Sequence, residues 1–187
     1  MSDLAEIKAA ARKAAFARRK PLLENANAAQ AGYLSEVLAG YRGVPLSGFM
    51  TIRTEIDPTP AMAEATAHGV VGVPVIEAKA QPLRFAEWTP DTVMINGVFG
   101  AQIPETQTFF EPEILIVPLL AFNRNGGRLG YGGGFYDRTL EVLRAKRPTL
   151  AIGFAFEGQE VDDLPLEATD QPLDLIVTEA GVIEIAP

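Results

Sequence analysis

The run EILIVPLLAF, residues 113–122, is the most apolar stretch of the chain, flanked by Pro112 and by the polar loop NRNGG. A run of that length with no polar alternation has no face to offer water. It predicts a strand buried on both faces, as in a parallel sheet covered by helices. Residues 3–20 place Leu4, Ile7, Ala11, Ala14 and Ala15 at helical spacing, with Ser2 or Asp3 near the cap, and set Lys8 and Arg12 four apart on one face. A second helix is predicted over 27–39, ended by Gly40, a short third over 60–67, and a fourth in FYDRTLEVLRAK, where Tyr136, Leu140 and Leu143 share a face. Strands are predicted over 46–52, 70–76, 83–88, 149–156, 173–179 and 181–185. Strand and helix in alternation across 187 residues point to one α/β domain spanning 1–187, a three-layer α/β/α sandwich with a mostly parallel, Rossmann-like sheet.

Charge narrows the function. The net charge is −8, yet residues 1–20 and 121–150 each carry six basic and two acidic groups, while 151–187 carry nine acidic groups and no basic one. Two basic islands in an acidic chain suit a compact anion such as a nucleoside triphosphate; a nucleic-acid footprint favours a basic domain overall. Solvated helix faces are the bland alternative for the isolated lysines. Without cysteine, neither disulfides nor thiolate metal sites are available. The N-terminal segment lacks the apolar block of a secretory signal and no later run reaches membrane-spanning length, so a cytoplasmic protein with no membrane partner is expected.

Between the buried strand and the fourth helix lies RLGYGGGFYDR, Arg128 to Arg138. Open α/β sheets bind ligands at the carboxyl ends of strands, glycines let backbone N–H groups approach a phosphate, and a helix N-terminus offers its positive dipole end. Arg128 can add a charged donor. Asp137, in the first helical turn, is placed to share Mg²⁺ with phosphate oxygens and water, or simply to stabilise the helix N-terminus. The stretch fits neither the Walker A pattern nor the dinucleotide register, and as a bare pattern it also suits a structural turn. His68 alone cannot build a multi-histidine metal site and reads as a surface or capping residue, and no serine lies in G-x-S-x-G. No covalent nucleophile stands out, which favours chemistry done by positioning and charge, such as phosphoryl transfer.

The segment ILIVPLLAFNRNGGRLGYGGGFYDRTL closely resembles the signature of the 5-formyltetrahydrofolate cyclo-ligases, the methenyltetrahydrofolate synthetases, and weaker similarity extends through IKAAARKAAFARR, TEID and LPLEATDQPLDLIVTE. The resemblance implies an ATP- and Mg²⁺-dependent enzyme that turns 5-formyltetrahydrofolate into 5,10-methenyltetrahydrofolate with release of ADP and phosphate. In that family the formyl oxygen attacks the γ-phosphate and a second folate nitrogen then closes the ring. By position, Lys8 and Arg12 match a basic pair that holds ATP phosphates. The loop from Arg128 through Gly130, Tyr131, Gly132, Gly133, Gly134, Phe135 and Tyr136 matches the segment that binds ATP and frames the formyl group, with Tyr131 to Phe135 nearest the substrate. Arg128, Tyr131 and Asp137 are the catalytic candidates. Asp137 and Asp170 match magnesium carboxylates, Glu55 a glutamate that hydrogen-bonds the pterin, and Met50 an apolar pocket position. Read from the residues alone, Asp170 ahead of Gln171-Pro172 is a turn aspartate.

The chain departs from the family pattern at Asn123, where aspartate is usual, at Ile103, where glutamate is common, at Thr169, where histidine is common, and at Phe135, where tyrosine is usual. The substrates expected are reduced folate and ATP, acted on by a monomer. The alternative is a catalytically altered relative that binds nucleotide or folate without turnover. An RNA contact by the first helix is disfavoured by the acidic total. The fold alone does not separate the chain from sugar-phosphate isomerases or CoA transferases; the long loop motif does.

Overall fold

The computed structural model describes residues 3–186; Ser2, one of the two residues considered for the first cap, lies outside them. In chain order the elements are α1 (Asp3–Arg19), α2 (Gly32–Ala39), β1 (Leu46–Ser47), α3 (Thr59–Ala65), β2 (Val71–Val75), β3 (Arg84–Glu87), β4 (Met94–Asn96), β5 (Gln102–Pro104), β6 (Phe109–Phe110), β7 (Ile114–Val117), β8 (Ala121–Phe122), β9 (Arg128–Leu129), α4 (Phe135–Lys146), β10 (Leu150–Phe154), β11 (Leu175–Val177) and β12 (Val182–Glu184). Eight strands form one sheet in the order β12-β11-β10-β7-β1-β2-β3-β6. Strands β11, β10, β7, β1 and β2 run parallel, and β12, β3 and β6 pair antiparallel at the two edges.

Strand β7 sits at the middle and is buried at all four residues. Its side chains alternate between two cores, as the pleat demands. Ile114 and Ile116 pack with Leu34 and Leu38 of α2 and Met62 of α3, while Leu115 and Val117 pack with Leu140 and Leu143 of α4. Helices therefore cover both faces, which is why the run shows no alternation of polarity. This is the three-layer, mostly parallel α/β arrangement expected from the sequence.

The run 113–122 is not one strand, however. Pro118 has no N–H for the ladder, so β7 stops at Val117, and the chain re-enters pairing only as β8, which forms a separate antiparallel pair with β9. Strand 46–52 is likewise cut to Leu46–Ser47. Gly48 passes so close to Met62 that a Cβ there would lie 2.3 Å from its sulfur, and the backbone then leaves the ladder as a loop. Pro21 turns the end of the first helix into a 3-10 segment, Lys20–Asn25. The predicted second helix begins with a 3-10 turn capped by Asn27, whose side chain accepts from the Ala29 N–H at 3.0 Å. The β4–β5 hairpin and β6 were not expected from the sequence, because their short, half-exposed segments carry no strong period.

A third, smaller core joins α1 to the β8–β9 hairpin through Ala15, Leu120, Ala121 and Leu129. That contact lays the basic face of α1 over the glycine-rich loop. Ile116→Ala, at a fully buried position of β7, is expected to lower stability by about 2–5 kcal/mol. Ile95→Ala, in the exposed hairpin, should change it by less than about 0.5 kcal/mol. Urea denaturation midpoints of the two variants check this, and equal losses would contradict the assignment of β7 to the centre of the core.

Candidate active site

The loop after β1, the basic face of α1, the β4–β5 hairpin, the glycine-rich loop and the first turn of α4 enclose a cleft of ≈ 1110 Å³. Every site residue expected from the sequence lines it: Lys8, Arg12, Met50, Glu55, Arg128, Gly130, Tyr131, Gly132, Gly133, Gly134, Phe135, Tyr136, Asp137 and Asp170.

The loop owes its course to two glycines with left-handed backbone, Gly132 at φ 101° and Gly134 at φ 66°. A Cβ on Gly132 would also stand 3.1 Å from the guanidinium carbon of Arg12, so the position lets α1 approach the loop. Arg12 uses that approach: its Nε donates to the Gly130 carbonyl at 3.0 Å. Gly134 begins α4 with no side-chain cap, which leaves the positive end of a twelve-residue helix facing the cleft.

A polar cluster surrounds that helix end. Arg128, 7% exposed, donates from NH2 to Asp137 Oδ1 at 2.6 Å, and the Gln171 N–H donates to the same oxygen at 2.9 Å. Lys8 Nζ donates to Asp170 Oδ2 at 3.1 Å and pairs with Glu167 at the same distance. Asp170 Oδ2 also accepts from the Glu167 N–H at 2.8 Å, so Asp170 does act as a turn aspartate as well as facing the cleft. Burial draws the Arg128 guanidinium down from its ordinary value, against the pull of Asp137 and Asp170. Arg128 Nε and the Tyr136 hydroxyl are buried without a partner among the described residues. Two such orphans in a cleft wall suit an anionic oxygen acceptor.

The two aspartates present a donor set for magnesium. Each carboxylate has one oxygen engaged and the other without a protein partner among the described residues. Those residues contain no group of three acidic, histidine or cysteine side chains able to enclose a metal. Two carboxylates, phosphate oxygens and water make a Mg²⁺ site, so the residues present fit that ion.

Elsewhere in the cleft, Glu55 is 5% exposed. Its Oε2 accepts from the Ile52 N–H at 2.8 Å and its Oε1 from the Tyr131 hydroxyl at 2.7 Å. Burial pushes the Glu55 carboxyl above the usual carboxylate range, opposed by these two hydrogen bonds and by the charges of Arg19 and Arg53. Burial and the neighbouring Glu55 push the Tyr131 phenol well above its ordinary value, so it stays protonated and remains a donor. Met50, Phe49 and Ile76 add apolar wall.

The departures from the family pattern fall in different places. Asn123 does not line the cleft: its Oδ1 accepts from the N–H groups of Asn125 and Gly127 at 3.1 and 2.9 Å, closing the β8–β9 turn. An amide oxygen serves this as well as a carboxylate, so Asn123 closes a turn outside the cleft and its departure from the usual aspartate takes no charge from the cleft wall. Ile103, Thr169 and Phe135 do line the cleft, and Phe135 lies 6.4 Å, centroid to centroid, from Phe99 at the tip of the β4–β5 hairpin. His68 is exposed in the turn after α3. Phe16, Arg53, Phe99 and Arg138 line the cleft without having been singled out. Phe16 was legible, lying four residues beyond Arg12 on the face already marked by Lys8.

Residues 5–179 match the 5-formyltetrahydrofolate cyclo-ligase family. A 5-formyltetrahydrofolate cyclo-ligase of Haemophilus influenzae is 42% identical over 101 residues, 51% of this chain, and the match spans 54% of that relative's length. The Escherichia coli K12 protein of the same name is 33% identical over 143 residues, covering 73% of this chain and 78% of its own. The solved structure of the Aquifex aeolicus 5,10-methenyltetrahydrofolate synthetase superposes with a TM-score of 0.79 at 25% identity, over 97% of this chain and 94% of that one. The chain that brings these charged, glycine and aromatic residues into one cleft belongs to the 5-formyltetrahydrofolate cyclo-ligase family.

Proposed function

We propose that this chain converts 5-formyltetrahydrofolate and ATP into 5,10-methenyltetrahydrofolate, ADP and phosphate. The observation that carries the reading is one cleft holding two different recognition elements: a cationic cluster at a helix N-terminus, and a buried, doubly hydrogen-bonded glutamate with apolar neighbours. The first suits a polyphosphate, the second a flat heterocycle with N–H donors.

In this reading Lys8, Arg12 and Arg128 take the phosphates with the N–H groups of the loop and of α4. Glu55 accepts from the pterin, and Met50 packs against it. Tyr131, held by Glu55, stands with Gly132–Phe135 beside the formyl group. The formyl oxygen attacks the γ-phosphorus and the bond to ADP breaks. The second folate nitrogen then attacks the formyl carbon, loses its proton, and phosphate departs with the former formyl oxygen. The nucleophile belongs to the substrate, so the protein contributes position and charge. Asp137 and Asp170 would hold Mg²⁺, which when bound neutralises phosphate charge. The reading is of a monomer acting on small molecules in the cytoplasm, without nucleic acid or membrane as partner. Among the described residues no helix is long and apolar enough to cross a membrane.

Asp137→Asn keeps the shape but removes the metal-binding charge and weakens the hold on Arg128. Its kcat/KM should fall by about 100-fold or more, with the Mg²⁺ concentration for half-maximal rate raised; wild-type turnover and Mg²⁺ dependence would end the assignment. Glu55→Gln should weaken folate binding by about tenfold or more while ATP binding changes less than about twofold, measured by separate titrations. Because the Glu55 carboxyl is raised, its charged form prevails only above that raised value. Wild-type kcat/KM for folate is therefore expected to fall with pH on an acid limb above the ordinary carboxylate range, a limb the Gln variant lacks.

A further inference from the structure

The last turn of α1 ends in two arginines of opposite fate: Arg18 is exposed, whereas Arg19 is 0% exposed and among the largest fully buried side chains. A buried guanidinium is costly unless its donors and its charge are answered. Arg19 Nε donates to the Thr54 hydroxyl at 2.8 Å and NH1 to the Leu119 carbonyl at 3.1 Å, while NH2 has no partner among the described residues. The guanidinium carbon lies 5.4 Å from the Phe16 ring centroid and 5.5 Å from that of Tyr131, rings that are themselves 5.6 Å apart. Arg19 does not line the cleft; it sits behind the wall made by Phe16 and Tyr131. No ion pair holds it among the described residues, and the Tyr131 ring beside it belongs to a side chain whose hydroxyl donates to Glu55.

We propose that Arg19 is a positioning residue for folate capture: it clamps Thr54, the neighbour of Glu55, and stacks on Tyr131, so that the Glu55 carboxylate is held in place and aimed into the cleft. This rests on Glu55 being the partner of the pterin. The charged and titratable groups around Glu55 are Arg19 from α1, Arg53 from its own loop, Tyr131 from the glycine loop and Tyr136 from α4. Burial raises the carboxyl, and the Arg19 charge acts in the opposite sense. Arg53 is exposed and therefore screened, which leaves Arg19 as the buried positive charge acting on Glu55.

The test compares Arg19→Met, of similar length without charge, with Arg19→Lys and Glu55→Gln, in steady-state kinetics with 5-formyltetrahydrofolate and ATP after thermal melts. Arg19→Met should raise the folate KM by about tenfold or more, leave the ATP KM within about twofold, and move the acid limb of kcat/KM for folate to higher pH. Lysine should restore the limb but only part of the KM, because the charge returns without the fork. Parallel rises in both KM values with an unmoved acid limb, or an unchanged folate KM, would overturn the proposal. If Arg19→Met does not fold, Thr54→Val removes one clamp bond alone and should raise the folate KM about threefold with ATP unaffected; no rise overturns it. A folate KM that responds to Glu55→Gln but not to Arg19→Met sinks the Arg19 role alone, whereas no response to Glu55→Gln sinks the pterin reading on which it stands.

Discussion

Arg128 and Asp137 stand at opposite ends of the glycine-rich loop and close it with a 2.6 Å ion pair. The cleft depends on that closure. Arg128 belongs to β9, which is fixed by pairing with β8, and Asp137 belongs to the first turn of α4, which is packed through Leu140 and Leu143 on the central sheet. Everything between them is a bridge of defined span, so its glycines can face a ligand without the loop collapsing. The pair is nearly dry on the arginine side, so removing Asp137 would leave Arg128 as a buried charge without its partner.

The second constraint is the docking of α1. Through Ala15 and its neighbours the helix packs on the β8–β9 hairpin, and the lack of a side chain at Gly132 lets Arg12 reach the loop backbone. One helix thereby reaches both parts of the cleft: Lys8 pairs with Glu167 and Asp170, Arg12 donates to the Gly130 carbonyl, and Phe16 and Arg19 pack on Tyr131. A helix that was merely a solvated amphipathic cover would not carry its most deeply buried cation at its last turn.

Much of this was legible in the sequence, for physical reasons. The unbroken apolar run at 113–122 implied a centre covered on both faces, and a motif confined to one stretch, RLGYGGGFYDR, pointed to a phosphate-binding loop or a structural turn because its parts are neighbours in the chain. Pro118 carried the signal that the run would break after β7, and the continuous apolar composition hid it. The Glu55–Tyr131 contact, 76 residues apart in sequence, and the Arg19–Thr54 clamp leave no local trace, since they arise from tertiary packing. Asn123 shows the converse: by composition it subtracts a charge from the family pattern, and only its two backbone hydrogen bonds reveal a turn residue.

The joining of two recognition elements in one cleft is tested most directly by mixing the purified chain with 5-formyltetrahydrofolate, ATP and Mg²⁺ and following the near-ultraviolet absorbance of the methenyl product, with each component omitted in turn. Absorbance that grows only in the complete mixture, with one ADP released per product, is the predicted result. A folded protein that binds ATP and folate yet forms no product would contradict the account.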